Sequence, residues 1–385
     1  MFTIIMLYFP YFSDNIKKIP KGDYLFMVEY VKISQLRSGD ILARTVYDSN
    51  MRVLLRENKP LTDRGIQTIK EQGYKGIYIN HEDNIFRAEV ALTAPLVDDL
   101  LQLKIVSLLK EIFANTGIIT DQFNAEFQKQ RILMDEYLDE LINAFLDAEK
   151  ENKLFLELQD NRAMSLWIYY HSLSVCMITL GMGVKLGMEK SQLKELGQAA
   201  IYHDLGKIFY DIKLLYKTNL LDEEKEIIRQ HPTHGFRLMQ RLRFPVSVCY
   251  GIWQHHEHID GSGYPNGLMG NKILLSGKLI SLASAFDNYV NPSPYNNEYF
   301  SNSEAIEKLY GSGIFDATCI KILLKVVAPY PVGVKVRLSN DAEAIVIKND
   351  SSLPLRPVIA IGHNYVNLAH DPNYQNITIA GTIEN

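Results

Sequence analysis

The sequence predicts a mainly α protein, with a small α/β module towards its N-terminal end and a β-rich appendage at its C-terminal end. Three observations carry this expectation. A long central stretch repeats apolar residues at helical spacing, and short β-branched runs broken by turn residues lie on either side of it. The length, 385 residues, is too great for one small core and points to two or three compact units. At 47% hydrophobic residues there is ample apolar material to bury.

The elements follow in chain order. Residues 1–26 open on MFTIIMLYFPYF, an apolar run interrupted at Pro10 and followed, not preceded, by Lys17–Lys18. That order is wrong for a secretory signal, and the run is too short to span a bilayer, so no stable membrane insertion is expected. Translation from Met27 is the favoured account, because MVEYVKISQLRSGD reads as a domain start. Residues 27–95 form the α/β module: the runs YVKI, DILARTVYD, RVLL and GIYI alternate with turn signals. Leu61–Thr62–Asp63 opens an amphipathic helix that stops near Gln72–Gly73. Nothing catalytic appears there, and a packing platform is expected before a sensory one.

Residues 96–159 are connecting helices. Met134, Tyr137, Leu138, Leu141, Phe145 and Leu146 form one apolar stripe, suited to packing on the chain's own domain or to a homodimer contact. Residues 160–327 are helix-rich with Gly- and Pro-marked loops. Residues 328–385, with VGVKVRL, AEAIVIK, RPVIAI and ITIAGTI, are the β appendage.

Charge and cysteine content narrow the function. A formal net charge of −5 argues against a nucleic-acid polymer as partner, but leaves room for a small anionic ligand held by local lysines. The three cysteines, Cys176, Cys249 and Cys319, are far apart and without CxxC spacing, so neither a disulfide framework nor a thiolate site is expected, and a reducing cytoplasm fits.

The chemistry lies between His171 and His258, where seven of the ten histidines fall. In AAIYHDLGKI, His203 and Asp204 offer an imidazole and a carboxylate together. The carboxylate can bridge two cations, and Lys207 adds a positive charge suited to a phosphate oxygen. In QHHEHIDGSGYPNG, His255 and His256 are read as helical neighbours with diverging rings. His231 in RQHPTHG and His171 in YYHSLSVC supply imidazoles from two further segments. Any one of these histidines alone reads as a core or cap residue; the set together reads as a divalent-metal inventory of nitrogen and oxygen donors. The turn residues Gly261 and Gly263, taken alone, read as a surface loop.

These motifs in this order resemble the HD-GYP family: HS at His171, HDxGK from His203 to Lys207, Lys217 before an acidic helix, His231–Pro232, HHExxDGxGYP from His255 to Pro265, and GSGIFD from Gly311 to Asp316. The resemblance implies a helical HD-type metal-dependent phosphohydrolase domain that hydrolyses cyclic di-GMP to pGpG or GMP at two divalent ions, iron or manganese. It places the metal ligands at His171, His203, Asp204, His231, His255 and His256. Asp204 and Lys207 become the catalytic pair, and Lys207, Lys217, Gly263, Tyr264, Pro265 and Lys278 the substrate contacts. A signalling protein docking on the GYP loop is a further implied partner.

The sequence departs from the family pattern in one short segment. Ser284 stands where the family has a metal-ligand aspartate, Asp287 lies one turn further on, and Ser293 and Asn296 replace basic substrate-holding residues. Trp167 occupies a position where some members carry a third-metal glutamate. A catalytically weakened or inactive module that binds cyclic di-GMP or a signalling partner is therefore the alternative expectation.

Overall fold

The computed structural model describes residues 27–48, 52–74, 76–81, 96–114, 121–156, 164–291, 293–294, 300–362 and 364–383. The apolar leader expected at residues 1–26 lies outside them. The N-terminal module contains β1 (Met27–Lys32), β2 (Ile41–Leu42), β3 (Val46–Tyr47), β4 (Val53–Leu55), α1 (Asp63–Glu71) and β5 (Gly76–His81). Strands β1 and β2 flank β5 in one antiparallel sheet, and β3 pairs with β4. Helix α1 starts where Thr62 accepts from the Gly65 amide at 3.1 Å and ends before Gly73, whose φ of +79° turns the chain out of the helix.

Next come α2 (Asp99–Ala114), α3 (Asp121–Lys150), α4 (Trp167–Lys185) and α5 (Lys190–Ile201). After a short 3₁₀ turn at Leu205–Phe209 come α6 (Ile212–Leu215), α7 (Asp222–Ile228), α8 (His231–Arg241), α9 (Val246–Gln254), α10 (Leu275–Val290), α11 (Asn302–Ser312) and α12 (Ala317–Leu323). Helix α4 is apolar on nearly every face and correspondingly buried, with α2, α3, α5, α10 and α12 packed around it. One apolar core runs from Val31, Ile77 and Ile79 of the N-terminal module through Leu109, Phe127, Leu180 and Phe286 to Val327. The module is therefore built into the helical body rather than tethered to it.

The apolar stripe of α3 is consumed in that core. Met134, Leu138, Leu141 and Phe145 have no exposed surface, and Tyr137 and Leu146 pack against them. This corrects the homodimer expectation for the stripe, because its apolar face is already covered by the chain's own helices. Among the described residues, no helix is long and apolar enough to cross a membrane.

The C-terminal unit comprises β6 (Lys335–Leu338), β7 (Glu343–Lys348), β8 (Val358–Ile361), β9 (Asn364–Asn367) and β10 (Ile379–Thr382). They form an antiparallel sheet in the order β10-β6-β7-β8-β9 with its own small core around Val336, Val346, Ile359 and Leu368. Arg356 fixes the connections by donating to the carbonyls of Leu368, Tyr374 and Ile377 at 2.9–3.0 Å.

Candidate metal centre

Four helices deliver the histidines to one buried point. His171 projects from α4, His203 and Asp204 sit in the turn that follows α5, and His231 opens α8. His255 caps the C-terminus of α9, with His256 just beyond it. The pair is thus not on a helix, and the rings do not diverge: their centroids are 4.2 Å apart, because the chain leaves the helix between them. Gly206 lets the two central segments meet, since a Cβ there would lie 2.0 Å from the His231 carbonyl oxygen. Any side chain at 206 would push α8, and with it His231, away from Asp204.

Backbone carbonyls fix the orientation of three of these imidazoles. The Nδ1 atoms of His203, His231 and His255 lie 2.8, 2.7 and 2.6 Å from the carbonyls of Ala200, Ile228 and Ile252, each three residues upstream. His171 Nδ1 lies 2.6 Å from a carboxylate oxygen of Asp287. In the neutral form of each of these rings Nδ1 donates, which leaves Nε2 as a bare lone pair. Those lone pairs are then directed at one another: His231 and His255 Nε2 are 3.1 Å apart, and His171 and His203 Nε2 3.3 Å. Facing lone pairs at that separation repel, so the arrangement is favourable only around positive charge. The donor set fits a borderline divalent cation of the kind that takes imidazole nitrogen and carboxylate oxygen.

Asp204 divides the cluster. Its Oδ1 faces His231 at 3.2 Å and His255 at 3.9 Å, while Oδ2 faces His203 at 3.6 Å and His171 at 3.9 Å. Two groups of ligand atoms result, each spanning no more than 4.8 Å: His171, His203 and Asp204 on one side, and His231, His255 and His256 on the other. Lys207, nearly buried, donates to Asp204 Oδ2 at 2.7 Å and lies 5.5 Å from the Trp167 ring centre. Burial alone would raise the Asp204 carboxyl, but the adjacent Lys207 ammonium outweighs it and the group is held well below the usual carboxylate range. Burial pushes the His203 imidazole down to about 4, and drives His255 and His256 well below the ordinary value. These three histidines are thus kept in the neutral, ligating form.

The departures from the family pattern occupy the first group. Ser284 is buried on α10 with its hydroxyl 3.3 Å from His171 Nε2, so the serine does face the ligand nitrogens. Asp287, one turn on, holds the far side of the His171 ring and itself accepts from Asn291 at 2.9 Å. Trp167 stacks on His171 with centroids 5.3 Å apart and planes within 13°. Ser293 is buried, and Asn296 lies outside the described residues.

The structure does not bring every expected site residue into the cluster. Lys217 is bonded to both carboxylate oxygens of Glu224 at 2.7 Å, and Lys278 to Asp316 at 2.9 Å, where it ties α10 to the residue that caps α12. Gly263 and Tyr264 do reach it, and Pro265 follows Tyr264 through a cis peptide bond. A Cβ at Gly263 would meet the backbone of His256 and His258 at 2.4 Å, and Tyr264 stacks on His256 at 4.6 Å. Glu257 has a role that the sequence alone does not assign. It is buried, and its carboxylate accepts from the amides of Asn266 and Leu268 at 2.8 Å, anchoring the returning limb of the loop. Its sequence neighbours are polar and give no signal; only its burial, which obliges a glutamate to find donors, assigns the role.

Residues 151–317 match the HD domain family. A cyclic di-GMP phosphodiesterase of Pseudomonas aeruginosa is 30% identical over 51% of this chain and 48% of its own length. One of Thermotoga maritima is 30% identical over 60% of this chain and 64% of its own. The matched stretch is an HD domain that carries the HD-GYP motifs. A 3'3'-cGAMP-specific phosphodiesterase of Vibrio cholerae is also similar, 31% identical over 34% of this chain and 31% of the relative. The chain thus spans between 31% and 64% of the length of these three relatives. An HDG"Y"P protein from Bdellovibrio bacteriovorus shares its fold, with a TM-score of 0.50 at 19% identity over 77% of this chain and 98% of that one.

Proposed function

We propose that this HD-GYP domain is a metal-dependent phosphodiesterase whose substrate is a cyclic dinucleotide, cyclic di-GMP first, with linear pGpG or GMP as product. The observation that carries the reading is Asp204, whose two oxygens each face a separate group of bare imidazole nitrogens. That is the disposition of a carboxylate shared between two cations, iron or manganese in this donor set. His171, His203 and Asp204 would hold one ion; Asp204, His231, His255 and His256 the other. Bound divalent cations acidify a water and offset charge on phosphate oxygens.

The protein's own residues supply the rest. Lys207 stands beside Asp204 with its ammonium at the buried edge of the cluster, placed to meet a phosphate oxygen. Lys217, half exposed and paired with Glu224, can exchange that carboxylate for substrate phosphate at small cost, since exposed pairs contribute only ~0–1 kcal/mol. Lys278 is the weaker candidate because Asp316 engages it in a more buried setting.

A second reading, cyclic dinucleotide binding without turnover, is favoured by Ser284, which presents a neutral hydroxyl where a carboxylate would strengthen the first group. Anaerobic reconstitution with Fe(II) or Mn(II), followed by chromatography of cyclic di-GMP and 3'3'-cGAMP digests, separates the two readings. Linear product that disappears in His255→Ala is expected. Bound metal and bound nucleotide with no product would establish the binding module instead.

A further inference from the structure

Four of the five histidines in the cluster owe their orientation to a hydrogen bond at the nitrogen opposite the ligand atom. The partners are the Ala200, Ile228 and Ile252 carbonyls and the Asp287 carboxylate. His256 differs. Among the described residues neither of its ring nitrogens has a hydrogen-bond partner, yet it offers a ligand atom within 4.8 Å of those of His231 and His255. What fixes its ring is a flat aromatic face: Tyr264 stacks on it with centroids 4.6 Å apart and planes within 18°. Arg229 lies over the Tyr264 ring, its guanidinium carbon 5.2 Å from the centroid and one nitrogen 3.0 Å from Glu226.

We propose that Tyr264, braced by Arg229, is the positioning residue for His256, doing through its ring face what a carbonyl or carboxylate does for the other four ligands. The inference rests on the reading of this cluster as a metal centre. Three features support it. The Tyr264 amide donates to the His256 carbonyl at 3.0 Å, so the two residues are held in register by their backbones as well as their rings. Gly263 permits that approach, since a Cβ there would strike His256 and His258. Arg229 is two residues before His231, so a displacement of Tyr264 is felt beside two ligands of the same group. A free imidazole on a short turn rotates about two side-chain bonds. Stacking on one face removes that freedom without consuming either nitrogen, and leaves both available to an ion or a proton.

The test reads metal affinity rather than turnover, by chelator-competition titration of Co(II) and Mn(II) together with the visible spectrum of the Co(II) protein. Tyr264→Phe keeps the ring and is expected to stay within about threefold of wild type. Tyr264→Leu removes it and is expected to weaken one ion by about ten- to a hundredfold, as loss of an outer partner does, with a changed Co(II) spectrum. Arg229→Met is expected to cost about two- to fivefold, the range of an exposed cation–π contact. In a His256→Gln background, Tyr264→Leu should add nothing, whereas a general loosening of the loop would still add its full cost. The proposal is overturned if Tyr264→Leu binds metal as wild type does, if Tyr264→Phe is equally damaged, or if the two changes are additive. Wild-type protein that takes up no metal would instead remove the metal-centre reading itself, and this proposal with it.

Discussion

The two halves of the cluster are built to different standards. In the second, three imidazoles from α8 and the turn after α9 converge with Asp204 Oδ1. Two of them are locked by carbonyls of their own helical turns and the third by the Tyr264 ring. In the first, His171 and His203 come from α4 and the turn after α5 and share Asp204 Oδ2 with Lys207, and the Ser284 hydroxyl faces His171. The first half nevertheless keeps its outer support intact, since Asp287 still orients His171 and Asn291 still orients Asp287. A carboxylate behind His171 and a neutral hydroxyl before it show that the frame of the site is separable from its charge. The histidines hold their geometry through α10, while the negative charge that would bind a second cation tightly is reduced to one shared carboxylate.

The largest expected effect erases the comparison. Asp204→Asn removes the charge common to both halves, and metal content by elemental analysis should fall for both ions, well beyond the ~10–100-fold that loss of an outer partner costs. Retention of both would show that the carboxylate is not shared. Ser284→Asp should sharpen the weak half, because a charge-assisted contact contributes about 1.5–3 kcal/mol, roughly ten- to a hundredfold in affinity. Titration should show the weaker ion tightening and the other unchanged. Asp287→Asn should loosen His171 and weaken the same ion by about tenfold, leaving the histidines of the second half undisturbed.

The smallest effect is on pH dependence. Buried imidazoles with depressed values stay neutral in the fold but take up protons when unfolded, so metal-free protein should lose stability as pH falls below about 6.5, and His203 contributes until about 4. His231, His255 and His256 are shifted in the same direction. Chemical denaturation of chelated protein at pH 7.5 and 5 should give the lower midpoint at pH 5, and His256→Gln should narrow the gap. An unchanged midpoint would mean that these rings are solvated.

Much of the candidate site was legible in the sequence because its donor residues come in short motifs. HD, HP and HH fix residue types, and their helical context follows from apolar periodicity, a local property. Ser284 could be read as a departure, but that its hydroxyl faces His171 across 113 residues of chain could not. The same holds for Glu257, whose anchoring of the GYP loop depends on a buried carboxylate finding two amides.

The sequence by itself determined the mainly α architecture, the flanking β units and the identity of six ligand-type residues, because periodicity, turn chemistry and motif spacing act over a few residues. Only the tertiary structure decided which nitrogens are bare, how Asp204 splits its two oxygens, that Lys278 serves Asp316, and that the α3 stripe is covered by its own chain. Each of these depends on directions and distances between segments far apart in the chain. They are set by packing around α4 and by close approaches such as Gly206 against His231, which no local pattern encodes.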